Sequence, residues 1–349
     1  MTTMKAYRLL EWQQPPQLVD VPVPEPGPGE VLIRVGGAGV CHSDLHVMEY
    51  PAGVLSWQVP FTLGHENAGW VEACGAGVSG LAQGDPVAVY GAWGCGGCPR
   101  CREGRETLCE RARELGANGG GLGWDGGMAE YMLVPAARWL VPLGDLDPRD
   151  AAPLSDAALT PYHAIRLAAD RLRPGATAVV IGVGGLGHMA VQLLRATTPV
   201  RIVAVDVDAA KLALAREVGA DETVLAADAP QERILALTRG LGAEAVFDLV
   251  GSDATLALAA RVARVGGALL VVGLHGGTLP VAFGRVPFDC PVTVPYWGTM
   301  TELAEVLELA RQGRIHAHTE RFPLERVDEA YARMRAGTLA GRAVITPSG

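Results

Sequence analysis

Polar and apolar positions follow two different rhythms along this chain. Up to about residue 150, short apolar runs are broken by Gly and Pro, which predicts strands at 17–21, 31–35, 69–73 and 86–90. Pro22, Pro24, Pro26 and Pro28 separate the first two runs. The glycine-rich stretch 116–127 predicts a surface loop, because a strand-like run at 128–134 follows at once. This part reads as a β-rich domain with long functional loops.

Near Asp156 the period changes. Residues 154–172 have room for helices, and strand and helix patterns then alternate. Strands are expected at 177–181, 201–206, 245–250, 268–273 and 291–296, and helices at 185–195, 208–218 and 256–264. Apolar strands between helices predict an α/β fold with a doubly wound parallel sheet. The tail predicts helices at 302–312 and 326–335, and a last strand at 342–346 that returns to the first domain. The expected division is 1–153 plus 298–349 for the β-rich domain and 154–297 for the inserted α/β domain. Such an insertion places the active site in the cleft between the two.

Composition narrows the function classes. The chain has 349 residues, 49% of them hydrophobic, enough for one large or two medium domains. No apolar run reaches about eighteen residues, and the N-terminus lacks a signal peptide's apolar core, so neither a membrane span nor secretion is expected. The formal charge is -9 with no basic block, which gives no support to a nucleic-acid surface. Four of the seven cysteines fall within fifteen residues, favouring metal over disulfides and a reducing cytoplasm.

Gly182-Val183-Gly184-Gly185-Leu186-Gly187 follows a predicted strand and opens a predicted helix, the G-x-G-x-x-G order of a dinucleotide site. Gly182 serves the tight turn, Gly184 the approach of backbone to pyrophosphate, and Gly187 close packing of helix on strand. Gly185 and Leu186 lie where the helix N-terminus offers N–H donors to phosphate. Asp206 ends the next strand, nineteen residues after Gly187. Its carboxylate suits the adenosine ribose hydroxyls and repels a 2′-phosphate, so NAD is the expected cofactor, with Lys211 a donor to the same ribose region. Glycines alone also fit a turn that binds nothing; strand, helix and spaced acid together favour the dinucleotide.

Cys95-x2-Cys98-x2-Cys101-x7-Cys109 sets four soft ligands on a short loop, the donor set of a closed structural zinc site. An iron–sulfur cluster uses similar spacings, and free or disulfide-bonded cysteines are further alternatives. Elsewhere, Cys41, His65 and Asp156 offer three ligands and leave a fourth position for water or substrate, as at catalytic zinc. Glu66 is placed to approach from behind or to exchange as a transient ligand, and Asp44 to orient His65 through its other ring nitrogen. Taken singly, Cys41 also fits packing, His65 a satisfied interior histidine and Asp156 a helix cap.

Gly64-His65-Glu66-x2-Gly69-x5-Gly75-x2-Val78, the four-cysteine lobe and the glycine fingerprint occur in one order. On these motifs, essentially the whole chain resembles the zinc-containing medium-chain alcohol dehydrogenase family. The resemblance is strongest to bacterial, in particular actinobacterial, NAD-dependent secondary-alcohol dehydrogenases active on small and aryl ketones. It implies a GroES-like catalytic domain with an inserted Rossmann domain. It also implies two Zn2+ per subunit: catalytic at Cys41, His65 and Asp156, structural at the four cysteines. The commonest pattern has cysteine as third ligand; Asp156 resembles a variant of some bacterial members. The resemblance further places His42, Thr160 and Arg342 at the cofactor, Thr160 beside the nicotinamide and Arg342 on the pyrophosphate. It makes Ser43 the receiver of the hydroxyl proton, passed through the cofactor ribose to His46. Trp57, Tyr296 and Trp297 fall at substrate-pocket positions. A homotetramer is implied, with a dimer as the alternative.

The expected activity is reversible hydride transfer between alcohols and NAD, giving ketones or aldehydes. A sugar or polyol dehydrogenase is the nearest competitor. A zinc hydrolase leaves Gly182–Asp206 without a purpose, and an NAD-responsive regulatory protein leaves Ser43, His65 and Asp156 idle.

Overall fold

Val31–Gly39 and Glu66–Cys74 pair antiparallel, with breaks in register between Leu32 and Ile33 and between Val35 and Gly37. In this computed structural model, which describes residues 2–348, the pair lies within a seven-stranded sheet. Pro86–Val89 and Leu140–Pro142 extend it on one side, Arg342–Ile345 and Thr319–Phe322 on the other. Tyr131–Val134 pairs with the first half of Val31–Gly39. A three-stranded sheet of Gln17–Pro22, Thr3–Leu9 and Phe61–Thr62 completes the β-structure of this unit, apart from a small two-stranded piece. The unit comprises the chain up to Ala157, Gly298–Arg311 and the residues from Ala317 onward. Its C-terminal strand is buried at every position, and Val344 and Ile345 pair with Gly39 and Ala38.

The second unit comprises Ala158–Trp297 and Gln312–His316. Its strands are β1 (Thr177–Ile181), β2 (Arg201–Asp206), β3 (Glu222–Leu225), β4 (Ala243–Asp248), β5 (Ala263–Val271) and β6 (Val292–Thr293). Its crossover helices are α1 (Gly187–Thr197), α2 (Ala209–Glu217), α3 (Pro230–Leu237) and α4 (Asp253–Val262). All neighbouring strands are parallel, in the order β3-β2-β1-β4-β5-β6. The expected doubly wound sheet is therefore present. Strand β1 is buried throughout because helices cover both faces of such a sheet. Val179, Ile181, Val203, Val205, Val246 and Leu269 form part of one core cluster. Chain order reverses between β1 and β4, which marks the crevice outside their carboxyl ends as a ligand position.

The structure corrects several expectations. Residues 116–127 do not form a surface loop: Ala117, Gly119, Gly120, Gly121, Leu122, Gly126 and Gly127 are buried. Backbone bonds from Gly126 N to Thr62 O (2.8 Å) and from Gly127 N to Gly64 O (3.0 Å) tie this stretch to the segment before His65. A Cβ on Gly121 or Gly126 would run into the Gly64 carbonyl, so glycine serves close backbone approach there. The strand expected at 291–296 shrinks to Val292–Thr293, bracketed by Pro291 and Pro295. The helix expected at 256–264 is Asp253–Val262, and Ala263 and Arg264 already belong to β5. Strand β3 and helix α3 were not anticipated. Among the described residues, no helix is long and apolar enough to cross a membrane.

Candidate metal and dinucleotide sites

The strand Val31–Gly39 delivers the chain to Cys41, which caps helix His42–Glu49. His65 immediately precedes Glu66–Cys74, and Asp156 follows the 3-10 turn Ala152–Ser155. These three elements bring one thiol, one imidazole and one carboxylate together. His65 Nε2 lies 3.4 Å from Asp156 Oδ2, and Cys41 Sγ lies 4.0 Å from the same oxygen. With metal–ligand bonds of about 2.0–2.3 Å, the edges of a tetrahedral shell measure about 3.3–3.8 Å. The donors fit one zinc-sized ion in both chemistry and spacing.

Asp44 fixes the ring that carries Nε2. Its Oδ1 lies 2.9 Å from His65 Nδ1, so the other nitrogen is the one turned toward Asp156. Asp44 Oδ2 accepts from Cys41 N at 3.0 Å and from the Tyr331 hydroxyl at 2.9 Å. Burial opposes protonation of His65, but Asp44, Asp156 and Cys41 outweigh it and raise its pKa. This concentration of acidic groups around one buried imidazole is the electrostatic setting in which a divalent cation is held.

Glu66 also belongs to the cluster, with its carboxylate within 4.8 Å of the other three donors. Both its oxygens are engaged by Arg342, through Nε at 2.9 Å and through Nη2. Burial lifts its pKa to about 7 against the opposing pull of Arg342, and Asp156 adds to the rise. The guanidinium of Arg342, the residue expected at a pyrophosphate, is thus oriented by Glu66.

Cys95, Cys98, Cys101 and Cys109 bring their sulfurs within 4.8 Å of one another, and all seven cysteines are free of disulfides. The Cys95 and Cys101 sulfurs are 3.9 Å apart, close to the edge of about 3.8 Å for a single ZnS4 tetrahedron. A four-iron cluster needs a wider cage. Backbone N–H groups aim at these sulfurs, Cys98 N at Cys95 Sγ (3.3 Å) and Cys101 N at Cys98 Sγ (3.5 Å). The Gly97 and Cys98 amides pull the Cys95 thiol down to about 6, whereas burial pushes Cys101 up to about 12. Four soft donors around one point match a closed structural ion.

In the second unit, Gly182 directly follows β1 with φ of 90°, and a Cβ there would meet Val250 Cγ2 at 2.5 Å. A Cβ on Gly187 would strike the Gly182 carbonyl, while one on Gly184 would meet nothing within 4 Å. The first and third glycines thus serve packing, and the second leaves backbone open to a ligand. Asp206 is buried at the end of β2; its Oδ2 accepts from Val183 N (2.7 Å) and its Oδ1 from Asp208 N (2.9 Å). The acid is therefore fixed against the glycine loop before any ribose arrives. Lys211 is half-buried on α2.

The remaining residues are distributed as follows. Ser43 Oγ is 3.1 Å from His65 Nε2. His46 is half-buried on the same helix, three residues beyond Ser43 and on its face, whereas His42 is exposed. Trp57 is buried edge-on against Phe61, with centroids 6.2 Å apart. Tyr296, exposed, and Trp297, buried, form a T-shaped pair in the second unit, where Thr160 is buried at the start of helix Leu159–Leu167. Tyr331 was not anticipated: an aromatic on an amphipathic helix carries no sign of a carboxylate 287 residues away.

Two family models match this chain, the alcohol dehydrogenase GroES-like domain over residues 27–145 and the zinc-binding dehydrogenase domain over 185–311. Together they span most of its length. The chain belongs to the zinc-containing medium-chain dehydrogenase family. Like its members it is an oxidoreductase. Among similar proteins, the alcohol dehydrogenase of the archaeon Aeropyrum pernix superposes with a TM-score of 0.90 at 38% identity, covering 98% of this chain and 100% of that one. The D-arabinose 1-dehydrogenase (NADP(+)) of Saccharolobus solfataricus is 36% identical over 99% of both chains. The acetophenone reductase of Geotrichum candidum, solved in complex with NAD, has a TM-score of 0.86 at 31% identity, covering 99% of this chain and 97% of its own.

Proposed function

We propose that this dehydrogenase interconverts secondary alcohols, small to aryl-substituted, with their ketones, using NAD. The observation that carries the reading is the convergence of Cys41, His65 and Asp156 in a chain that also holds Asp206 against a glycine fingerprint. Those three residues would hold the catalytic zinc and the four cysteines the structural one. A zinc ion in the first site supplies Lewis acidity toward an alcohol or carbonyl oxygen, and NAD supplies the hydride acceptor. The protein's own groups do the rest. Asp44 fixes the His65 tautomer, Ser43 stands within 3.1 Å of the imidazole to take up the hydroxyl proton, and His46 passes it to solvent. Asp206 selects the 2′-hydroxyl over a 2′-phosphate. His42, Thr160, Lys211 and Arg342 are the further cofactor contacts in this reading. Trp57, Tyr296 and Trp297 are the aromatic side chains this reading assigns to the substrate, and likeness to an acetophenone reductase supports aryl ketones.

A second reading, sugar oxidation, is favoured by the D-arabinose dehydrogenase relative. A panel of secondary alcohols, aryl alcohols and aldoses, run with NAD and NADP on zinc-replete protein, separates the two. NADH formation with secondary alcohols is expected; turnover confined to aldoses, or to NADP, overturns the first reading. The same reading includes a cytoplasmic homotetramer, checked by mass measurement in solution.

A further inference from the structure

We infer that Tyr331 is a positioning residue for the metal site, acting through Asp44; this rests on Cys41, His65 and Asp156 being the zinc ligands. Asp44 is fully buried, and its two oxygens serve three partners. Oδ1 faces His65 Nδ1 at 2.9 Å. Oδ2 accepts from the Cys41 backbone N–H at 3.0 Å and from the Tyr331 hydroxyl at 2.9 Å. One carboxylate thus ties down two ligand residues, the imidazole by its ring nitrogen and the thiol by its backbone. Tyr331 is the side chain that holds the far end of that carboxylate.

The Tyr331 hydroxyl has one proton and two neighbours, Asp44 Oδ2 and Met128 Sδ at 3.3 Å. A carboxylate is a much stronger acceptor than a thioether, so the proton goes to Asp44. Desolvation raises the Tyr331 pKa well above its usual value, and Asp44 raises it further, so the hydroxyl stays a donor. The ring is 2% exposed and stacks on Tyr7 with centroids 6.2 Å apart, which fixes the direction of its C–O bond. Tyr7 points its own hydroxyl to Asp328 at 2.5 Å and provides a neighbouring control.

Tyr331→Phe deletes one oxygen and keeps the ring. Asp44 then keeps His65 and the Cys41 N–H but loses the third of its partners in a buried setting, and is freer to rotate away from both. Outer partners of metal ligands typically alter affinity by 10–100-fold. One bond further out, zinc release from the Cys41–His65–Asp156 site to a chelator is expected to be about tenfold faster, with the visible spectrum of the cobalt-substituted protein shifted. Zinc at the four cysteines should be released at the wild-type rate, and Tyr7→Phe should change neither. Equal acceleration at both sites would mean general loosening and overturns the proposal. So does an unchanged release rate and cobalt spectrum in Tyr331→Phe. Wild-type protein that retains no metal at Cys41, His65 and Asp156 overturns the underlying metal assignment instead, which separates the two failures.

Discussion

Arg342 and Glu66, 276 residues apart in sequence, form a two-pronged ion pair with side chains 5% and 0% exposed. Breaking a buried pair on one side leaves an uncompensated charge, at a cost of about 3–5 kcal/mol. Arg342→Met should therefore lower the urea midpoint sharply, followed by tryptophan emission. Adding Glu66→Gln should restore much of the loss, because neither partner is then charged. A single variant as stable as wild type would show that water reaches Glu66.

The donors around His65 make a separate prediction about stoichiometry. Asp156→Ala removes the only oxygen of the proposed three-ligand set and leaves the cysteine lobe untouched. Elemental analysis should find about one zinc per chain in place of about two, with turnover near background. Asp156→Cys supplies a thiolate at the same position and should retain both ions. Two ions in the alanine variant would mean that Glu66 or water completes the site without Asp156.

How much of this was legible beforehand depended on sequence distance. The four cysteines and the Gly182–Gly187 loop were readable because each motif is contiguous, and its chemistry is set by local spacing. Asp206 was readable because a strand and a helix fix its offset from Gly187. Arg342–Glu66 and Tyr331–Asp44 left no such trace, since their partners meet only after the C-terminal strand joins Val31–Gly39. The burial of the glycines at 116–127 is hidden in the sequence for a different reason. Composition cannot distinguish glycine chosen for a turn from glycine chosen so that two backbones can touch, and here Gly126 and Gly121 crowd the Gly64 carbonyl. Strand β3 is only four residues long, too short for alternation to declare itself.

The cysteine lobe also carries Arg100, Arg102, Arg105, Arg111 and Arg113, all exposed. In the metal-bound lobe they sit on tightly wrapped chain that trypsin cannot straighten. Cys98→Ser should lose the structural ion, loosen residues 95–113 and admit cleavage within that window. Mass spectrometry of brief digests should show the cut in the variant and not in wild type. Resistance of the variant would mean that hydrogen bonding alone holds the lobe.

Asp206 has two tasks that substitution can separate. As a charge it disfavours a 2′-phosphate; as an acceptor it holds Val183 N and Asp208 N. Asp206→Asn removes the charge and keeps one acceptor oxygen, so the loop should survive at a cost of about 1–3 kcal/mol. The ratio of kcat/KM for NAD to that for NADP should fall about tenfold, equivalent to about 1.4 kcal/mol. Steady-state kinetics with both cofactors and one secondary alcohol measures that ratio directly. If the ratio holds while stability drops, Asp206 builds the loop without choosing the cofactor, and selectivity must come from elsewhere around Lys211.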